Sequence, residues 1–223
     1  ASCRPSLRPS PPSANSAAPE SGMSELVLAS GNAGKVREFQ ALLGPAWRVL
    51  PQSEFAVVPV EETGATFFAN ALLKARHAAQ YTGLPVLADD SGLEVDALGG
   101  APGVWSARYA GPGAGDDANN AKLLAALRGI PDAQRTARYR CVLVWLSGPG
   151  DESPLTTEGA WEGRILEAPR GRRGFGYDPL FLDPATGLSA AELDEGAKNS
   201  RSHRGRALLG LRNLLSGSPG PNP

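Results

Sequence analysis

The apolar run Leu84 to Ala88 ends on two adjacent carboxylates, Asp89 and Asp90, and this junction restricts the chain more than any other feature. A short continuous apolar run bounded by turn signals reads as a buried strand. Ser91-Gly92 reads as the turn that follows it, because glycine accepts backbone angles other residues resist. Each acid disfavours ionisation of the other unless a cation lies nearby. In open α/β sheets, ligands gather outside the carboxyl ends of strands. An acidic surface turn would need no ligand at all, so the rest of the chain has to decide.

A strand of this kind needs a core, and 223 residues are enough for one large domain or two small ones. Residues 1–22 are rich in Ser, Pro and Ala and lack the apolar stretch of a secretory signal, so a disordered extension is expected there. A chain starting at Met23 should then match the full chain in melting temperature and activity. The domain is expected over 23–216, with a flexible tail at 217–223. The formal net charge of −1 provides no global basic field for nucleic acid or a membrane surface, so any phosphate site must be built locally. Cys3 and Cys141 are too few for a disulfide framework, and Cys141 falls inside the apolar segment Cys141 to Leu146 as a small core residue. No run of 18 apolar residues occurs. A soluble, cytoplasmic protein without membrane or nucleic-acid partners is expected.

Taken in order, Glu25 to Ala29 reads as the first strand, Ser30-Gly31-Asn32-Ala33-Gly34-Lys35 as a loop, and Val36 to Leu43 as a helix stopped by Gly44. Loop N–H groups, a positive helix end and the Lys35 charge would together face an anion. The loop is not a P-loop, since its glycine spacing differs and Val36 stands where a metal-binding hydroxyl belongs. Trp47 to Pro51 suggests a second strand. Val57 to Val60 is an extended segment leading into the acidic turn Glu61-Glu62-Thr63-Gly64. Thr66 should cap a helix to about Tyr81, with Phe68, Leu72, Ala75 and Ala79 on its apolar stripe and Asn70, Lys74 and His77 opposite. A solvated face accounts for His77, whereas Lys74 would reach a phosphate if the helix borders a cleft.

Leu93 to Leu98 alternates like a further strand, Gly99 to Gly103 reads as a turn, and Asp116 to Arg128 as an amphipathic helix. Thr136–Leu146 and Leu155–Leu166 read as paired strands of a second lobe, with Trp145 and Trp161 filling its core. In Gly174-Phe175-Gly176-Tyr177-Asp178, glycines flank aromatic rings that offer a stacking face to a flat ligand. Lys198, Arg201, His203 and Arg204 open a helix through about Leu215, where the macrodipole disfavours positive charge, and an anionic ligand would explain that violation.

With these blocks assembled, the chain resembles the inosine triphosphate pyrophosphatase family over roughly residues 25 to 210. The resemblance rests on Ser-Gly-Asn-Ala-Gly-Lys (30–35), Glu-Glu-Thr-Gly (61–64), Ala-Asp-Asp-Ser-Gly-Leu (88–93), Leu-Gly-Gly-Ala-Pro-Gly (98–103), Gly-Phe-Gly-Tyr-Asp-Pro (174–179) and Ser-His-Arg-Gly (202–205), in the family's order. It implies an elongated, two-lobed α/β fold with a central mixed sheet flanked by helices, an active-site cleft between the lobes, and a homodimer. It implies Mg²⁺-dependent cleavage of non-standard purine nucleoside triphosphates (ITP, dITP, XTP) to the monophosphate and pyrophosphate. Carried over by position, Ser30, Gly31, Asn32, Ala33, Gly34 and Lys35 would hold the triphosphate. Asp90 would be the catalytic acid/base and a Mg²⁺ ligand, with Glu61 as second ligand. Ser91, Phe175, Gly176, Tyr177, Asp178, Lys198, His203 and Arg204 would contact the nucleotide.

The chemistry of the residues agrees, since Mg²⁺ takes one or two carboxylates with water and phosphate oxygens, and cations neutralise charge developing on phosphate. A Ser-His-Asp hydrolase built on Ser91 and His203 fits poorly: Ser91 is not in a G-x-S-x-G elbow, and neighbouring cations depress the basicity of His203. A pyrophosphatase for pyrimidine or modified nucleotides and a non-enzymatic nucleotide-binding module are the alternatives. The paired acids argue against the second.

Overall fold

The computed structural model describes residues 24–216. The expected extension over 1–22 and tail over 217–223, with Cys3 and Met23, lie outside the described residues. In chain order the elements are β1 (Ser24–Leu28), α1 (Ala33–Leu43), β2 (Trp47–Pro51), α2 (Phe67–Thr82), β3 (Val86–Val95), α3 (Asp116–Ala126), β4 (Thr136–Leu146), β5 (Leu155–Ile165), β6 (Phe181–Asp183), β7 (Leu188–Ser189), α4 (Glu195–Arg201) and α5 (His203–Leu215). They form one seven-stranded mixed sheet in the order β2-β1-β3-β4-β5-β6-β7. The strands β2, β1 and β3 are parallel, joined by helical crossovers as parallel strands require. From β3 onward each neighbour is antiparallel. No helix among the described residues is long and apolar enough to cross a membrane.

Strand alternation sorts the core. Leu26, Leu28, Leu87, Cys141 and Leu143 point to one face and are covered by Phe39 of α1 and by Ala207, Leu208 and Leu211 of α5. Val27, Val86, Ala88 and Val144 point to the other face, under the alanine-rich side of α2. Beyond the midpoint of the long strands, Leu93, Val95, Tyr139, Trp161, Ile165 and Phe181 form a third cluster with Leu123 and Leu127 of the α3 region. Trp145 and Trp161 fill core as expected. The first and third clusters use the same sheet face, and a polar band separates them.

The chain does not turn at Ser91-Gly92. β3 runs on through both acids to Val95, paired with β4 in unbroken register from Val86↔Leu146 to Val95↔Ala137. The expected strand from Leu93 is its second half, and Asp96–Leu98 is a 3₁₀ turn. Gly92 serves a close approach: an added β-carbon would collide with the Gly103 carbonyl oxygen and stand 2.6 Å from Ser106 Oγ.

Other boundaries shift for local reasons. α1 begins at Ala33 because the Asn32 side chain caps it. The α2 cap at Thr66 holds, with Oγ1 accepting from Ala69 N at 3.1 Å. On α2 the buried ring is Phe67, whereas Phe68, expected on the apolar stripe, is 41% exposed. Val57 to Val60 forms no strand, and Gly103–Arg108 is a 3₁₀ helix. The expected C-terminal helix is two helices, broken at Ser202, whose side chain accepts from Gly205 N to cap α5. Lys198 and Arg201 therefore occupy the last turn of α4, where the macrodipole favours positive charge.

Candidate active site

Because successive strand residues face opposite ways, the two acids at the centre of β3 never confront each other. Asp89 shares the face of Leu87, toward α1 and α5. Asp90 shares the face of Ala88, toward α2. Each has its own cation. Lys35 Nζ is 2.9 Å from Asp89 Oδ2, and Arg204 Nε is 3.4 Å from the same oxygen. Lys74 Nζ is 3.0 Å from Asp90 Oδ1. Burial alone would raise Asp89, but Lys35, Arg204 and Lys74 outweigh it and hold the carboxyl well below the usual range. For Asp90 burial prevails, aided by the charge of Glu62, and the carboxyl is raised despite Lys74.

Asp89 belongs to a buried network in the polar band between the two same-face clusters. Arg204 donates Nη1 to Glu38 Oε2 at 2.8 Å and Nη2 to Ser91 Oγ at 2.9 Å, and Ser91 donates to Asp89 at 3.0 Å. Lys198 donates to Glu38 Oε1 and to Asp178 Oδ2, both at 2.7 Å. The cations Lys35, Lys198 and Arg204 are thus matched by Glu38, Asp89 and Asp178, which makes this a charge-balanced band rather than an open anion trap. Both Lys198 Nζ and Arg204 Cζ lie 5.2 Å from the centroid of the Phe175 ring. The other edge of that ring rests on α1: a β-carbon at Gly34 would stand 2.7 Å from Phe175 Cδ1. Tyr177 offers no stacking face; it is buried, with its hydroxyl donating to Ser106 O at 2.8 Å. Asp178 is buried, accepts from Phe175 N at 2.9 Å, and is raised by that burial. His203 stacks on Tyr139 with centroids 4.7 Å apart. Burial, then Arg204 and Lys198, push His203 well below its ordinary value, so it is neutral near pH 7. Its Nδ1 is buried with no partner among the described residues. A cavity of about 120 Å³ opens here, lined among others by Lys35, Ser91, Phe175, Asp178, His203 and Arg204.

Lys35 also lines a second, more open cleft of about 800 Å³ that runs past Ser30, Gly31, Glu61, Glu62, Lys74 and Arg108. In the loop between β1 and α1, Asn32 Oδ1 accepts from Gly34 N at 2.8 Å and Lys35 N at 3.2 Å, and Ser30 Oγ accepts from Asn32 N. Among the described residues, that leaves the N–H groups of Gly31 and Ala33 as the free donors of the loop. The loop is self-braced, and offers fewer N–H groups than its sequence suggests. Across the cleft, Lys74 bridges Asp90 Oδ1 and Glu62 Oε1, the latter at 2.7 Å. Arg108 donates to the other Glu62 oxygen at 2.9 Å, and these cations hold Glu62 below its usual range against its burial. Asn70, fully buried, accepts from Gly64 N at 2.7 Å and donates to Asp90 Oδ2 at 3.2 Å. So the acid brought beside Asp90 is Glu62; Glu61, the expected second ligand, lines the same cleft as an exposed side chain.

Carboxylates sharing a single ammonium form a donor set that suits a hard divalent ion, which takes one or two carboxylates and fills its shell with water and phosphate oxygen. The described residues contain no cluster of three or more His, Cys, Asp or Glu around one point, so a softer, all-protein cage is not what this site provides.

Most of the expected residues thus fall on two pockets that share Lys35, while Gly34 and Lys198 lie on the other side of Phe175 and Asp90 lies behind Lys74. Glu38, Glu62, Asn70 and Arg108 were not anticipated. Glu38 lies one turn beyond Lys35 on α1, and Asn70 one turn before Lys74 on α2, a spacing that places each pair on one helix face. That spacing was the available signal, and it looks the same on a solvated helix. His77, read as solvated, is half-buried, with Nε2 2.8 Å from Val58 O.

A model of the Ham1 family matches residues 26–214. A dITP/XTP pyrophosphatase of Thioalkalivibrio sulfidiphilus is 57% identical over 194 residues, covering 86% of this chain and 99% of that protein. One of Vibrio parahaemolyticus is 56% identical over 195 residues, covering 87% and 98%. Among solved structures, a HAM1 protein from Coxiella burnetii aligns with a TM-score of 0.79 at 50% identity, covering 88% of this chain and 100% of that one. With a family model matched over residues 26–214 and relatives of similar length at 50–57% identity, this chain belongs to the Ham1 family.

Proposed function

We propose that this protein hydrolyses the non-standard purine nucleoside triphosphates ITP, dITP and XTP to the monophosphate and pyrophosphate. The observation that carries the reading is the junction at Lys35, which lines both the aromatic pocket and the carboxylate cleft. A nucleotide with its base at Phe175 would place its phosphates at Lys35 and the free Gly31 and Ala33 N–H groups. Its α-phosphate would then lie toward Asp90. The names of the relatives support the same substrate class.

In this reading Asp90 accepts the proton of the attacking water while oxygen adds to the α-phosphorus. The bond to the bridging oxygen breaks, and the electron pair leaves on pyrophosphate. A carboxyl raised by burial is a stronger base than an exposed one once ionised. Lys35 and the loop N–H groups bear the charge developing on the phosphates. Asp90 and Glu62, the carboxylates that share Lys74, would hold Mg²⁺, with Glu61, the expected second ligand, along the same cleft. When bound, that ion supplies charge neutralisation and an acidified water. Phe175 stacks on the base, Arg204 directs donors at it from the pocket wall, and Lys198 supports the ring from its other side. A 6-oxo purine answers those donors with an acceptor, whereas adenine presents an amino group and leaves polar groups unpaired on both sides. Mismatches of that kind discriminate by about 10⁴.

The homodimer is part of the proposal. Val58, 74% exposed, and Tyr81, 68% exposed, meet through His77 and offer an apolar face for a second copy. Light scattering on the purified protein tests it. The cytoplasm, where nucleotide pools are used, is the proposed location, testable by cell fractionation.

The decisive assay is pyrophosphate release from ITP, XTP, dITP and the four standard triphosphates, with and without Mg²⁺, with products identified by ³¹P NMR. Expected are monophosphate and pyrophosphate, with ITP and XTP well above GTP, and ATP lowest among the purines. Accumulation of IDP and orthophosphate, or equal kcat/KM for ATP and ITP, would overturn the reading.

A further inference from the structure

The loop that carries Phe175 is held from behind by a helix that none of the functional motifs includes. α3 presents Asp116 and Asn120 on one face, four residues apart. Asp116 Oδ2 accepts from Gly176 N at 2.6 Å, and Asn120 Nδ2 donates to Gly176 O at 2.9 Å. Both backbone polar groups of one residue are therefore fixed by one helix. Gly176 sits at φ 64, between the stacking ring of Phe175 and the buried Tyr177. Its backbone follows directly on that of Phe175, so a change in its orientation would carry the Phe175 ring with it. The bonds differ in setting: Asn120 is buried, whereas Asp116 is exposed at the wall of the aromatic pocket. An exposed carboxylate gains little from helix packing alone, yet here it makes a short bond to a backbone N–H in the recognition loop.

We infer that Asp116 and Asn120 are positioning residues for base selection: their grip on Gly176 keeps the Phe175 ring aligned with the Arg204 donors at the wall of the same pocket. The inference rests on the proposed purine triphosphate reaction and adds to it the elements that tune the pocket. Without the grip, the loop samples orientations in which the ring and the donors no longer meet one flat base together. Binding of the favoured base then weakens, while the Asp90 cleft, on the opposite face of the sheet, is left in place.

The test compares the parent protein with Asp116→Ala, Asp116→Asn and Asn120→Ala, all as full chains. Turnover of ITP by the parent is measured first, so that a failure of the functional reading is seen separately from a failure of this one. Asp116→Ala should raise KM for ITP on the order of tenfold, the factor carried by one hydrogen bond to a charged group, with a smaller change in kcat. The ITP-over-ATP ratio of kcat/KM should fall by a similar factor. Asp116→Asn, which keeps an acceptor oxygen, should restore both. Asn120→Ala should move them in the same direction as Asp116→Ala. Hydrogen–deuterium exchange over residues 171–178, which needs no turnover, should quicken in both alanine variants and return to the parent rate in Asp116→Asn. Parent-like exchange with an unchanged ITP-over-ATP ratio would overturn the inference. So would equal losses on both nucleotides that follow a drop in melting temperature.

Discussion

Asp89 and Asp90 are neighbours in sequence with opposite electrostatics, and substitution should separate them. Asp90 is raised by burial, so the folded protein holds a proton there more readily than the unfolded chain, and ionisation works against stability above the ordinary carboxylate value of about 3.9. Asp90→Asn, without divalent metal, should melt at or above the parent temperature, while kcat falls by about 100-fold or more, the range for lost acid–base function. Near-parent activity would move the proton-accepting role elsewhere. Asp89 has the reverse sign. Its depressed carboxyl adds stability that is fully present above about pH 5 and drains as pH falls below about 3.9. Asp89→Asn leaves Lys35 and Arg204 short of a buried partner and should cost about 3 kcal/mol at pH 7. Urea denaturation at pH 7 and pH 3 should show the gap to the parent narrowing by about 1 kcal/mol at the lower pH. A gap independent of pH would contradict the ion-pair account. The sequence showed that two acids met there, but only strand alternation shows that they face opposite ways.

The elements were legible where local pattern and tertiary demand agree. Thr136–Leu146 appears with the expected bounds because an apolar strand buried along most of its length leaves little choice. The Thr66 cap was readable for the same reason. Reading failed where a site borrows the look of something else. Asn70 resembles part of a solvated stripe, because a buried polar partner has the composition of a surface, whereas Lys74 on the same face lines the cleft as the sequence allowed. The cationic cluster at 198–204 looked like one helix start, because the break at Ser202 depends on a cap that also serves as an ordinary serine within a helix. The loop Ser30 to Lys35 looked open because Asn32 spends its side chain on two of the loop's own N–H groups. Asn32→Ala should therefore act twice. It should destabilise the protein by about 1 kcal/mol through the lost cap, and raise KM for ITP as the loop loses its brace. Equal KM values in the two proteins would show that the loop needs no brace to hold phosphate.

For the whole molecule, a net charge of −1 and a site whose cations are already paired give little long-range pull on an anionic substrate. At fixed Mg²⁺, kcat/KM for ITP should change less than about threefold between 50 and 200 mM monovalent salt, unlike a reaction driven by electrostatic steering. A steep fall would reveal a field that the paired charges conceal. The unbroken β3 has a different consequence. It runs from the core under α1 and α5 into the core beside α3 as a single beam, bonded to β4 at every position from Val86 to Val95. Bending it at the acids would shear that ladder, so the sheet contains no hinge at Asp89 and Asp90. Any opening of the site then belongs to its rim, in the loops around 30–34, 57–64 and 171–178, while the ladder keeps Asp89 and Asp90 in place on the two sides of one plate.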